Sequence, residues 1–149
     1  MQIGDICQRE VVTIDKSASI YDAARLMRAQ HVGDLIVVDS DAEHRRPLAV
    51  VTDRDLVVEV LAGEVAPDSV AIGDVASPRT VTARSDADLL ETLRLMSIKG
   101  VRRIPVLDEA GDLFGILSVN DVLGVVRNML ILLQDLDDRR VERERSVRE

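Results

Sequence analysis

The apolar residues of this 149-residue chain fall into two kinds of run. Dense, short runs come first: DLIVVD (34–39), PLAVVT (47–52), RIPVLD (103–108) and LFGILS (113–118). They have the length of strands and little polar alternation, which predicts burial on both faces. The other runs have helical spacing. Ala23, Leu26 and Met27 lie on one face of a segment 20–30, and Leu89, Leu93 and Met96 do so in 89–99. Ser19 with Asp22, and Asp88 with Glu91, stand at N-cap and N3 spacing and mark both helix starts. Shorter strands, VVTI (11–14) and TVTA (80–83), precede these helices, and further helices are predicted after Thr52 and Ser118. The fold class is α/β (α+β), with β-α-β-β-α read twice.

The two halves are copies. Residues 3–39 align without a gap on 72–108 at an offset of 69, with 12 of 37 positions identical, among them Gly4/Gly73, Asp5/Asp74 and Arg25-Leu26-Met27/Arg94-Leu95-Met96. The loop after Asp39 is longer than the one after Asp108, and the offset then becomes 66. Two copies are too few for a solenoid and predict a pseudo-twofold module. The expected division is a first repeat over 1–61, a linker over 62–71, a second repeat over 72–126, and a C-terminal helix extension with a charged tail over 127–149.

The later offset sets Thr52 on Ser118 and Asp55 on Asp121. Each pair is a hydroxyl followed three positions on by a carboxylate, just after an apolar strand. A capping box accounts for that pattern by itself, at about 1 kcal/mol each. The same geometry offers free N–H groups to a phosphate or sugar oxygen, and a carboxylate accepts two hydrogen bonds from a vicinal diol. The small residues Ala49 and Gly115 near the strand ends are expected to let a ligand approach the backbone.

Composition narrows the classes. Tyr21 and Phe114 are the only aromatics, so the core is aliphatic. The net charge of −8 argues against a general nucleic-acid surface, though a few focused Arg still suit an anionic ligand. Cys7 is the single cysteine, which excludes an intrachain disulfide and a thiolate zinc cluster; it is expected to pack as a small buried residue. His31 and His44 stand apart, and the acid-rich loop 39–44 lacks calcium-loop spacing. No nucleophile–base pair, metal cluster or P-loop is present, which argues against an enzyme. The N-terminus does not read as a signal peptide and no run has the length of a membrane span, so the expectation is a cytoplasmic protein without membrane contact.

From residue 3 to about 126 the chain resembles a pair of CBS (cystathionine β-synthase-type) domains, with TDRDL (52–56) and RRIPVLD (102–108) as the most typical wording. The resemblance implies a non-catalytic regulatory module with two pseudo-twofold clefts for adenosine-bearing ligands. These are AMP, ADP or ATP, with NAD and S-adenosylmethionine as further ligands of the family and no required cofactor. It also implies a disc-like homodimer. One cleft would use Asp121 for the ribose diol and Ser118 for ribose or phosphate, with Ile116, Val32 and backbone from Glu10 to Val12 around the base. The other would use Asp55 and Thr52 with Val50, Val101 and backbone from Arg79 to Val81. Arg102 and Arg103 match the family's phosphate-facing cations, where the first copy has Gly33 and Asp34. The family's usual Met after Asp-Ile is Cys7 in one copy and Ala76 in the other. The competing reading is a dimerisation and partner-docking module with empty or vestigial clefts.

Beyond the repeat, Val119, Val122, Val126, Met129, Leu133 and Leu136 follow 3-4-3-4-3 spacing, an a/d seam. A lone monomer would expose that stripe, which predicts a partner surface, most simply in a homodimer. The tail after it is charged all round and is expected to fray.

Overall fold

The computed structural model describes residues 1–76 and 80–148. Its strands are β1 (Thr13–Asp15), β2 (Asp34–Val38), β3 (Pro47–Thr52), β4 (Ala83–Arg84), β5 (Arg103–Leu107) and β6 (Leu113–Ser118). They form two three-stranded sheets, β1-β2-β3 and β4-β5-β6. In each sheet the first pairing is parallel and the second antiparallel. Helix α1 (Ile20–Gln30) carries the chain from β1 back to β2, and α4 (Leu89–Lys99) does the same in the second sheet, because parallel neighbours need a crossover. Ser19 accepts from the Asp22 N–H in a complete capping box, and Asp88 accepts from the N–H groups of Leu90 and Glu91.

The first strand of each repeat starts later than the apolar pattern suggests. Val11 and Val12 lie before β1: Val11 packs between the sheets, and the Val12 carbonyl accepts from the Ile36 N–H at 3.0 Å. The central strands β2 and β5 are buried on both faces, as expected. Strand β3 instead alternates: Ala49 and Val51 enter the first core, while on the other face Leu48 is exposed and Val50 is half-buried against the cluster between the sheets.

Two aliphatic cores result, and each is completed by the other repeat. Ile3 and Cys7 belong to the core of the second repeat, with Leu89, Met96, Ile104 and Leu117. Ile72 and Ala76 belong to the first, with Ile20, Met27, Leu35 and Val51. The exchange is hydrogen-bonded symmetrically. Ile3 and Gly4 donate to the carbonyls of Ala87 and Ser85, and Ile72 and Gly73 donate to those of Ala18 and Lys16. The matched glycines explain themselves here. A Cβ at Gly4 would lie 2.7 Å from the Ser85 carbonyl oxygen, and one at Gly73 2.9 Å from that of Lys16. A third cluster, Ile36, Val38 and Ile116 with Val11 and Val50, joins the two sheets.

Helix α2 begins as an α-turn at Asp53–Asp55 and continues as a π-helix over Leu56–Leu61, burying Val60. After a connection in which Val65 and Val70 pack on the first core, the short α3 (Ile72–Val75) opens the second repeat. Helix α5 runs unbroken from Val119 to Arg148. The expected fraying of the tail is therefore not found. Arg140 pairs along the helix with Asp137 and Glu144, at (i, i+3) and (i, i+4) spacings that support a charged helix. The first turn of α5 reaches the second core through Val119 and Val122, so these two are not part of the exposed stripe expected from the sequence, which begins at Leu123 and Val126.

Candidate nucleotide clefts

Each repeat ends a strand in a hydroxyl residue and starts a helix one step later, and these two points line two cavities. In the first, the Ser118 N–H and hydroxyl donate to Asp121 Oδ2 at 2.8 and 2.6 Å, while the Asp121 N–H donates back to Ser118 Oγ at 3.3 Å. Asp121 Oδ1 accepts from Gln8 Nε2 at 2.9 Å. Burial pushes the Asp121 carboxyl up, but the hydrogen bonds from Ser118 and Gln8 outweigh it and hold the group below the usual carboxylate range. The cavity has a volume of about 290 Å³. That is near the lower end of small-molecule sites, roughly 300–1,000 Å³. Val11, Val12, Val32 and Ile116 form its apolar wall, and Gln8, Glu10, Asp34, Arg103, Ser118 and Asp121 its polar one.

The second cavity repeats the plan. The Thr52 N–H and hydroxyl donate to Asp55 Oδ2 at 2.7 and 2.9 Å, and the Asp55 N–H donates to Thr52 Oγ1 at 3.2 Å. No partner reaches Asp55 Oδ1 among the described residues, so this carboxylate keeps one oxygen open. The cavity measures about 410 Å³ and is walled by Val50, Gly100 and Val101 on one side and by Asp53, Arg54, Arg102 and Arg103 beside the Thr52–Asp55 pair.

Of the residues expected from sequence, Val12, Val32, Ile116, Ser118 and Asp121 meet in one cavity, and Val50, Thr52, Asp55, Val101 and Arg102 in the other. Arg103 faces both. Val81 lines neither; it packs against the second core. Arg79 lies outside the described residues. The space left by Gly115 is not open to a ligand. A Cβ there would sit 2.5 Å from the Gln8 carbonyl oxygen and 2.9 Å from Cys7 Sγ, because Gln8 and Ile116 exchange backbone hydrogen bonds at 2.9 Å. Ala49 is likewise a core residue. Sequence reasoning missed Gln8, and nothing in its neighbourhood announces it: residue 8 reaches Asp121 only because the N-terminal segment crosses to the other repeat.

Two sheets in pseudo-twofold relation, exchanged N-terminal turns and paired clefts agree with a family match. The CBS domain model matches residues 3–62 and 72–128. The chain belongs to the CBS domain family. An uncharacterised protein from Methanopyrus kandleri is 30% identical over 135 residues, covering 91% of this chain and 67% of its own. Among solved structures, a protein with CBS domains from Burkholderia ambifaria has a TM-score of 0.73 at 26% identity, covering 85% of this chain and 93% of its own. Two further CBS structures share the fold with TM-scores of 0.72 each. One is a protein from Pyrobaculum aerophilum complexed with AMP, at 23% identity, covering 81% of this chain and 89% of its own. The other is the domain pair of protein MJ0100 in complex with 5′-methylthioadenosine and S-adenosyl-L-methionine, at 20% identity, covering 87% of this chain and 98% of its own.

Proposed function

We propose that this CBS pair is a non-catalytic regulatory sensor that binds an adenosine-bearing ligand of the AMP, ADP or ATP class in its inter-repeat clefts. The observation that carries the reading is the duplicated hydroxyl–carboxylate pair at a helix N-terminus, each opening on a cavity with an apolar wall. The wall suits a purine, the carboxylate suits the ribose diol, and the helix N-terminus suits a phosphate. CBS structures of the same fold have been solved with AMP and with S-adenosyl-L-methionine, which supports the ligand class. The protein acts as a homodimer in the cytoplasm. Leu123, Leu130, Leu133 and Leu136 on α5 are exposed, together with Val57, Val58 and Leu61 on α2, and a second copy of the chain is the simplest cover for such a surface.

A thermal-shift screen with AMP, ATP, NAD and S-adenosylmethionine tests the ligand reading. A ligand that binds only the folded state raises Tm as its concentration exceeds Kd. A clear shift with an adenine nucleotide is expected. No shift with any of the four at millimolar concentration would leave the docking-module reading in its place.

A further inference from the structure

The two clefts are built alike in backbone and unlike in charge. The Ser118–Asp121 cleft is walled by three carboxylates, Glu10, Asp34 and Asp121, and its one cation among the described residues is Arg103. That cation is already engaged: Arg103 Nε lies 3.0 Å from Asp34 Oδ1. The Thr52–Asp55 cleft has two carboxylates, Asp53 and Asp55, against three guanidiniums, Arg54, Arg102 and Arg103. Neither Arg54 nor Arg102 has an ion-pair partner among the described residues. A phosphate entering the first cleft therefore meets Glu10 and Asp34, and the one cation that lines it is paired; Arg102 borders only the hollow of about 40 Å³ beside it, at Ser118–Asn120. In the second it meets two cations held by no carboxylate. Inside a partly closed cleft such differences are screened less than at an open surface.

We infer that the clefts are specialised by charge: the Thr52–Asp55 cleft takes a phosphorylated adenosine ligand, and the Ser118–Asp121 cleft takes one without phosphate. The inference rests on the adenosine-ligand reading above. Asp34 is the residue that enforces it. It adds negative charge to the first cleft and at the same time holds the guanidinium that both clefts share. The open oxygen of Asp55 is a ready acceptor for the ribose diol, which AMP and adenosine share, so the division rests on the phosphate alone. A nucleoside in the other cleft takes the place of the Gln8 amide on Asp121.

Calorimetry with AMP and adenosine as probes tests this on the full chain. AMP is expected to bind at one site per chain, and adenosine is expected to bind AMP-saturated protein at a second site. Asp55→Asn should weaken AMP at least tenfold while adenosine still binds. Glu10→Gln with Asp34→Asn removes the two acids and releases Arg103, and should raise AMP stoichiometry to two per chain. A crystal grown with AMP and adenosine together then shows which cleft holds which. Two equivalent AMP sites on the unaltered protein would overturn the inference but keep the adenosine reading, and so would adenosine that only competes with AMP. Absence of binding by both probes at millimolar concentration would remove the adenosine reading itself. If the double variant does not fold, the AMP and adenosine titrations of the unaltered chain still decide the matter.

Discussion

Asp34 and Arg103 occupy equivalent positions in the two repeats and are bonded to each other across the pseudo-twofold, Arg103 Nε to Asp34 Oδ1 at 3.0 Å. The internal symmetry brings the two positions together, and the divergence of the copies made them opposite in charge. Burial raises the Asp34 carboxyl above its usual range; Arg103 opposes this, and Asp53 and Asp121 add to it. Arg103→Ala should therefore cost about 1 kcal/mol, because solvent reaches the guanidinium and screens the pair. Most of the loss should return when Asp34→Asn is added. The sign with pH follows. An acid raised in the folded state penalises folding when ionised, and the penalty fades as pH falls through the raised value. Urea denaturation should show the Arg103→Ala deficit shrinking from pH 7 toward pH 4. A deficit that is the same with and without Asp34→Asn would place the role of Arg103 elsewhere.

Asp121 titrates in the opposite sense. Its carboxyl is held low by Ser118 and Gln8 against the effect of burial. The stability it contributes is complete above the unfolded value near ~3.9 and is lost as pH falls through the lower folded value. An asparagine cannot accept from Ser118 on one side and from Gln8 on the other with both atoms. Asp121→Asn should cost about 1 kcal/mol at pH 7 and should flatten the acid limb of the stability curve below pH 4. Gln8→Ala should reproduce part of the loss at pH 7.

Helix α1 ends on His31 at φ 54°, whereas the equivalent end of α4 is Gly100 at φ 66°. A side chain in the left-handed region carries a steric cost that glycine avoids, roughly 1 kcal/mol. His31→Gly should raise Tm by a few degrees, and Gly100→Ala should lower it. Differential scanning calorimetry of the two variants checks both directions.

Glycines 4 and 73 have no such conformational role, because what they meet is a facing carbonyl. Gly4→Ala and Gly73→Ala should each destabilise by about 1–3 kcal/mol, the usual cost of overpacking. Since each glycine belongs to one repeat and abuts the other, both variants should loosen the two halves together in hydrogen exchange. Protection lost in one half alone would contradict the exchanged arrangement.

The stripe on α5 sets the last expectation. Met129→Asp with Leu133→Asp puts two charges where the exposed apolar residues of the helix are concentrated. Multi-angle light scattering should find the unaltered protein dimeric at micromolar concentration and the double variant shifted toward monomer. An unaltered protein that is monomeric there would remove the homodimer, and a double variant that stays dimeric would move the interface to α2.

Much of this molecule is legible along the chain. The repeat offset, the caps Ser19 and Asp88, helices α1 and α4, and the strand–hydroxyl–helix corners at Thr52 and Ser118 all follow from local rules of spacing, capping and apolar run length. Such rules act over one or two turns, and a segment of ten residues satisfies them without reference to the rest of the fold. What lies across the pseudo-twofold is different. The crossing of residues 3–8 into the second core, the Gln8 amide on Asp121, the filling of Gly115 by backbone and the pairing of Asp34 with Arg103 join residues far apart in sequence. No local pattern encodes them. They were decided when each half, too small to close its own core, completed it with the first turn of the other.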